Sequence, residues 1–242
     1  MILRRCLALA VVPLALAACS SGKHGSTPST PAPTSTGVSA GATGIAQVTG
    51  ALAQLSSVHL QTDAGAVGGK SQSDVTLAGG NPTAIELHAV SDGQAVVVVT
   101  RDGASWLQQG SNWVKVAPDS PNATAKKLSN PLGVVTLTNS LASLKAVGSL
   151  LSAASATDKG QDAGAERYAL TVDPKKVDQS TTLGQLLSLV GGNEVPVDMW
   201  IDPQGRPVKI ALSVSFAGQQ VDVTVQLSNF NAPLDIPTPT GS

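Results

Sequence analysis

The sequence predicts an α+β domain in which helices cover the apolar face of an antiparallel sheet. Three observations carry this. In the first and last thirds of the domain, apolar residues alternate with polar ones in short runs separated by Gly, Asn and Asp turns. Near the start and in the middle the apolar period changes to that of a helix. The last three strand runs are apolar on one side only, so the sheet has one wet face and one dry face that needs a cover.

The first element is not part of that domain. Residues 1–19 are MILRRCLALAVVPLALAAC. Arg4 and Arg5 make a positive start, Cys6 to Leu16 an apolar stretch of 11 residues, and Ala17 and Ala18 are small. This is the pattern of a secretory signal peptide over residues 1–18, and it is too short to remain as a membrane-spanning helix. Leu16-Ala17-Ala18-Cys19 resembles the bacterial lipobox, in which an aliphatic residue and two small ones precede a cysteine. The thiol is needed for a thioether to diacylglycerol, and the small residues give a signal peptidase access. Cys19 is thus the expected lipid attachment site, a diacylglyceryl cysteine with palmitate-type chains. The alternative is an ordinary signal with a chance cysteine. Two or three acyl chains give lasting attachment, at roughly 0.8 kcal/mol per buried methylene. Cys6 would leave with the signal and Cys19 would be blocked, so the mature domain has neither disulfide nor thiolate metal site.

Residues 19–44 form the lipidated Cys and a Ser/Thr/Pro-rich tether. From Ser20 to Gly44 the chain contains no acid, aromatic or periodic pattern, a composition that cannot offset its ordering entropy. A flexible chain of that length spans roughly 25–30 Å, which lets the domain stand off a bilayer. The expected location is the extracytoplasmic face of the cell membrane, held by the lipid anchor.

Residues 45–231 form a single domain. Ile45, Val48, Leu52 and Leu55 recur at helical spacing. Val58, Leu60 and Thr62, then Val75 and Leu77, then Ile85, Leu87 and Ala89 alternate with other neighbours. Asp92-Gly93 and Asp102-Gly103 are turns around the run Ala95 to Thr100. Trp106-Leu107 and Trp113 to Val116 flank a turn at Gly110-Ser111-Asn112. The whole is a meander of about six strands. Leu137, Leu141, Leu144, Val147, Leu150 and Leu151 then lie on one helical stripe. A strand near Tyr168 to Val172 separates that helix from a second, from about Thr182 to Val190, closed by Gly191-Gly192. Val195, Val197, Met199 and Ile201 begin the last meander. After the turn Asp202-Pro203-Gln204-Gly205 come Val208, Ile210, Leu212, Val214 and Phe216, then Val221, Val223, Val225 and Leu227. Residues 232–242 form a Pro-rich tail expected to be loose.

The order helix, meander, helices, three-strand meander, behind a lipobox and tether, resembles the LppX/LprAFG lipoproteins of actinobacteria. The phrases that carry the resemblance are Arg101-Asp102-Gly103-Ala104-Ser105-Trp106 followed by Asn112-Trp113-Val114-Lys115-Val116, and Met199-Trp200-Ile201-Asp202-Pro203-Gln204-Gly205-Arg206-Pro207-Val208. It covers roughly residues 45–231. The resemblance implies a curved antiparallel half-barrel with helices closing an apolar concave face, and the holding or moving of acylated lipid or glycolipid in the cell envelope. No polar signature of ligand identity comes with it.

Composition excludes other classes. Aromatics are 2% and charged residues 13%, about half the usual globular share of roughly 25%. Without residues 1–18 the chain carries 13 basic against 16 acidic residues, net −3, with no clustered basic face for nucleic acid and no polybasic membrane patch. Ala64 to Ser71 is a near miss for a phosphate-binding loop: its first position is Ala64, and a strand follows where that loop needs a helix. His24, His59 and His88 lack metal-ligand spacing, no Ser elbow occurs, and no cofactor is expected. Asp198 and Asp202 can pair as acid and base or serve as solvated strand and turn acids. Trp106, Trp113 and Trp200 can line a ligand mouth or pack at the sheet rim. The expected function is therefore non-catalytic. The candidate acyl-cavity lining is Leu137, Leu141, Leu144, Val147, Ile210, Leu212, Val214, Val223 and Val225, although a stripe such as Leu137–Leu151 is more often plain core than cavity wall. The alternatives are an envelope protein-interaction or scaffold module with no ligand, and an extracytoplasmic hydrolase.

Overall fold

Strand alternation of this density produces one continuous sheet. The computed structural model describes residues 40–65, 69–130, 135, 138, 144–179, 187, 194–216 and 219–240. Cys19, Leu137, Leu141 and nearly all of the segment from Thr182 to Val190 lie outside the described residues. Those described belong to one compact unit, Gly37–Ser242.

Helix α1 (Ala40–Ala53) begins inside the segment assigned to the tether. Strands β1 (Ser57–Asp63), β2 (Lys70–Ala78), β3 (Asn81–Ser91), β4 (Gln94–Arg101), β5 (Ala104–Gln109) and β6 (Asn112–Lys115) form the expected six-strand meander. Asp92 and Asp102 take positive φ (53° and 50°), each followed by a glycine at positive φ, so both Asp-Gly pairs make two-residue hairpin turns. Helices α2 (Ala123–Leu128) and α3 (Leu144–Ser152) follow. Next come β7 (Ala154–Asp162), β8 (Ala165–Val172), a 3-10 turn at Pro174–Lys176, β9 (Val195–Ile201), β10 (Pro207–Phe216) and β11 (Gln219–Ser228).

All eleven strands join in the order β6-β5-β4-β3-β2-β1-β11-β10-β9-β8-β7. Every described pairing is antiparallel, and the sheet is curved and unclosed, with β6 and β7 at its edges. The two meanders meet at one seam, where His59 pairs with Ser228 and Asp63 with Thr224.

The register sets which side chains face inward. Val58 and Leu60 of β1, Val75 and Leu77 of β2, Tyr168 to Val172 of β8, Val195 to Ile201 of β9, Ile210 of β10 and Val223 to Leu227 of β11 supply one buried cluster at alternate positions. Val48 and Leu52 of α1 share it, as do Val147, Leu150 and Leu151 of α3, spaced i, i+3, i+4. Leu87, Ala89, Val96, Val98 and Leu107 continue the inner face over β3 to β5 and pack with Ala125 and Leu128 of α2 and with Val135.

Three local expectations change. The strand near Tyr168 is half of a hairpin: β7 precedes it. β7 reads ASATDKGQD and is mostly exposed, so main-chain pairing with β8 holds it where burial does not. A register shift between Asp158 and Gln161, with Gly160 at φ 81°, bends this edge and blunts it against further strand addition. The tail is docked. Ile236 is 5% exposed and packs with Leu234, Trp113, Ala84 and Val99 on the outer face. Arg101 fixes it there, donating from Nη2 to the Ile236 carbonyl at 2.5 Å and from Nε to the Pro237 carbonyl at 3.2 Å. The outer face is therefore not uniformly wet, because the tail covers Val99 completely.

Candidate functional site

Of the nine expected lining residues, Val147, Ile210, Leu212, Val223 and Val225 lie at the inner cluster. Ile210 pairs with Val225 and Leu212 with Val223 across β10 and β11. Ile210, Val223 and Val225 are buried in the same cluster as Val147 of α3, and Leu212 is half-buried against it. Val214 pairs with Val221 through the backbone, and Leu144 opens α3.

Between the apolar cluster of β1, β2 and β8–β11 and that of β3–β5, the inner face carries hydroxyl side chains. Thr62 of β1 pairs with Ser71 of β2, and Ser73 pairs with Leu60 on one side and Leu87 on the other. All three hydroxyl residues are buried. Ser71 and Ser73 continue the inward register of Val75 and Leu77. A search for apolar alternation passes over them, whereas the strict period of two through β2 would have placed them. The Ser73 Oγ has no hydrogen-bond partner, and neither does Oγ1 of Thr138, a helical residue three positions after Val135.

A second concavity lies elsewhere. A cleft of about 540 Å³ opens between α1 and the β9–β10 turn, lined by Gln47, Gln54, Gln204, Arg206 and Asn231 with Leu55 and Pro203. It borders none of the expected acyl-lining residues. Gly205 (φ 77°) brings the turn against α1: a Cβ there would meet the Gln47 Cβ at 3.4 Å. Asp202 organises the turn, accepting from the Gln204 and Arg206 amides and pairing with the Arg206 guanidinium at 2.6 Å. That guanidinium stacks 4.5 Å over Phe230.

The outer face holds the tryptophans. Trp200 lies between Arg167 (5.2 Å) and Lys209 (4.3 Å) and donates from Nε1 to Asp162 at 2.8 Å. Trp106 pairs with Val99, and Trp113 packs beneath the tail. These positions are rim and outer-face packing and do not line the inner face. Asp198 is held by Arg167 at 2.9 Å, so Asp198 and Asp202 serve separate ion pairs. His59 lies 2.7 Å from Asp74, and His88 lies 2.9 Å from Glu86. Among the described residues no three His, Cys, Asp or Glu are placed to hold a metal ion, and no helix is long and apolar enough to cross a membrane. The Ala64 amide donates to the Gly69 carbonyl and the Gly69 amide to the Gly65 carbonyl, and a strand, β2, follows from Lys70 as expected.

Burial, with a hydrogen bond to Glu166 at 2.8 Å, pushes the Tyr168 phenol up to about 12. Hydrogen bonds from Ser213 and Gln220 hold the exposed Asp222 carboxyl below its usual range. The Asp198 hydrogen bond raises Arg167.

No family model matches the chain, and no curated protein matches it by sequence. Solved structures do. LprF from Mycobacterium bovis is 21% identical with a TM-score of 0.54, covering 82% of this chain and 96% of that one. The lipoprotein LppX from Mycobacterium tuberculosis is 17% identical with a TM-score of 0.51, covering 81% of this chain and 97% of that one. The chain has the LppX/LprAFG-type fold. Within this LppX-type fold, the two phrases that suggested the resemblance are its β4–β5–β6 and β9–β10 hairpins. They contribute to both faces: Met199 and Ile201 belong to the buried inner cluster, while Trp113 packs beneath the tail on the outer face.

Proposed function

We propose that this protein is a membrane-anchored, extracytoplasmic lipoprotein that binds or transfers acylated lipid or glycolipid in the cell envelope. The observation that carries the reading is the inner face: a curved, unclosed sheet presents buried apolar side chains from β1 to β5 and from β8 to β11 along one concave surface. Helices cover that face as a half-barrel, and acyl chains enter between the layers, driven by burial at roughly 25 cal/mol per Å². Leu137, Leu141, Leu144, Val147, Ile210, Leu212, Val214, Val223 and Val225 line the space. The fold shared with the lipoprotein LppX and the lipobox ending at Cys19 support the anchored placement. The chemistry is non-catalytic, and the tether lets the loaded domain reach a partner.

The test is native mass spectrometry on the full chain, extracted from bacterial membranes, before and after organic extraction. Two masses are expected beyond the polypeptide: a covalent one at Cys19 that survives extraction, and a multi-acyl lipid that does not. In the Cys19→Ala variant only the first disappears. A chain carrying no extractable lipid, and taking up none when envelope lipids are offered, ends the carrier reading. The interaction module then leads, with the cleft beside α1, lined by polar and apolar side chains alike, as the surface to probe.

A further inference from the structure

Hydroxyl groups at the centre of an apolar face need a reason. A buried hydroxyl without a partner costs free energy that an alanine of similar size would not. Ser73 is 1% exposed and Thr138 3%, and neither hydroxyl has a hydrogen-bond partner. The strand residues directly opposite Ser73 are Leu60 and Leu87, so neither side chain facing it across the sheet can accept its proton. Leu87, opposite Ser73, shares a buried cluster with Val135, three positions before the helical Thr138. Thr62, Ser71 and Ala89 flank Ser73 along and across the strands. Ser71, Ser73 and Ala89 carry shorter side chains than the Leu, Ile and Val around them.

Resting on the lipid-carrier reading, we propose that Ser73 and Thr138 donate hydrogen bonds to the ester carbonyls of an acyl lipid held against this patch. The protein then selects ester-linked chains over ether-linked or plain alkyl chains of equal length. An ester carbonyl accepts without donating, and it is the only polar group such a ligand carries along its buried part. A hydroxyl pair able to donate complements it. The ligand's linkage region thus sits over β1 to β3, with its chains running along the apolar surfaces on either side.

The experiment offers the full chain an equal mixture of dipalmitoylglycerol and dihexadecylglycerol, the diester and diether of matched length, and reads the ratio of bound masses. The wild type is expected to favour the diester about three- to tenfold, the worth of one or two hydrogen bonds. Ser73→Ala and Thr138→Val each bring the ratio towards one, chiefly through loss of diester binding. Equal uptake by the wild type, or a preference that persists in both variants, overturns the proposal and leaves the carrier reading standing. Uptake of neither lipid overturns both. Thermal unfolding of the lipid-free Ser73→Ala chain supplies a second readout. An unchanged or higher Tm is expected because no hydrogen bond is lost. A lower Tm shows that the hydroxyl is already bonded, to protein or to trapped water only, and overturns the assignment.

Discussion

Tyr168 is the chain's single tyrosine, which makes its ionisation directly readable. Its phenol lies on the inward register of β8, pairing with Met199, and bonds Glu166 at the end of the same strand. The neutral form is therefore favoured in the fold, with the pKa near 12 against an unfolded value near 10. A raised acid contributes stability that is complete below pH 10 and lost as pH climbs from 10 towards 12. Absorbance titration at the phenolate band is expected to show no ionisation until that window, followed by unfolding. A midpoint near 10 with the fold intact would contradict the burial. At this scale the sequence was legible for apolar residues and less so for polar ones. Alternation placed Val223, Val225 and Ile210 inward, but Ser71 and Ser73 occupy the same register without announcing it. The tryptophans, open to two readings from sequence, are settled by strand parity: Trp200 follows inward-facing Met199 by one residue and must point the other way.

Among elements, the docked tail is the clearest departure from expectation. Its prolines and lack of periodicity suggested a loose end, yet Ile236 and Leu234 seal Val99 and Ala84 on the outer face. No local pattern could show this, because the surface that receives the tail is assembled from β3, β4 and β6. Ile236→Ala is expected to lower unfolding free energy by about 2–3 kcal/mol, the usual cost of emptying a buried aliphatic site, with the loss visible in urea denaturation. A change within error would mean that the tail lies on the sheet without holding it. β7 was missed for the opposite reason: its strand conformation comes from pairing at an edge, and hydrophobic periodicity reports burial only. α2 was missed as well, although Asn122, whose side chain accepts from the Ala125 amide at 2.9 Å, was a visible start signal.

For the whole molecule, the six-strand and three-strand meanders were readable, and their union was not. Nothing in residues 57–63 or 219–228 by themselves specifies that β1 pairs with β11, since register between distant strands depends on faces that exist only in the assembled sheet. That pairing puts the first and last strands at the centre and β6 and β7 at the margins. Amide hydrogen exchange is expected to follow the order: β1, β2, β11 and β10 slowest, β6 and β7 fastest. If β6 exchanges as slowly as β1, the sheet is not open at that edge.

The seam between β1 and β11 also fixes when the molecule can be finished. A ribosome delivers β1 early and its partner β11 almost last, with more than half of the chain appearing between them. Until β11 is in place, any sheet built on β1 and β2 keeps a raw margin of unpaired amides and carbonyls at its future centre, the kind of margin that recruits strands from other molecules. A chain cut short before residue 219 is in this respect not a smaller version of the protein but one whose middle has become its edge.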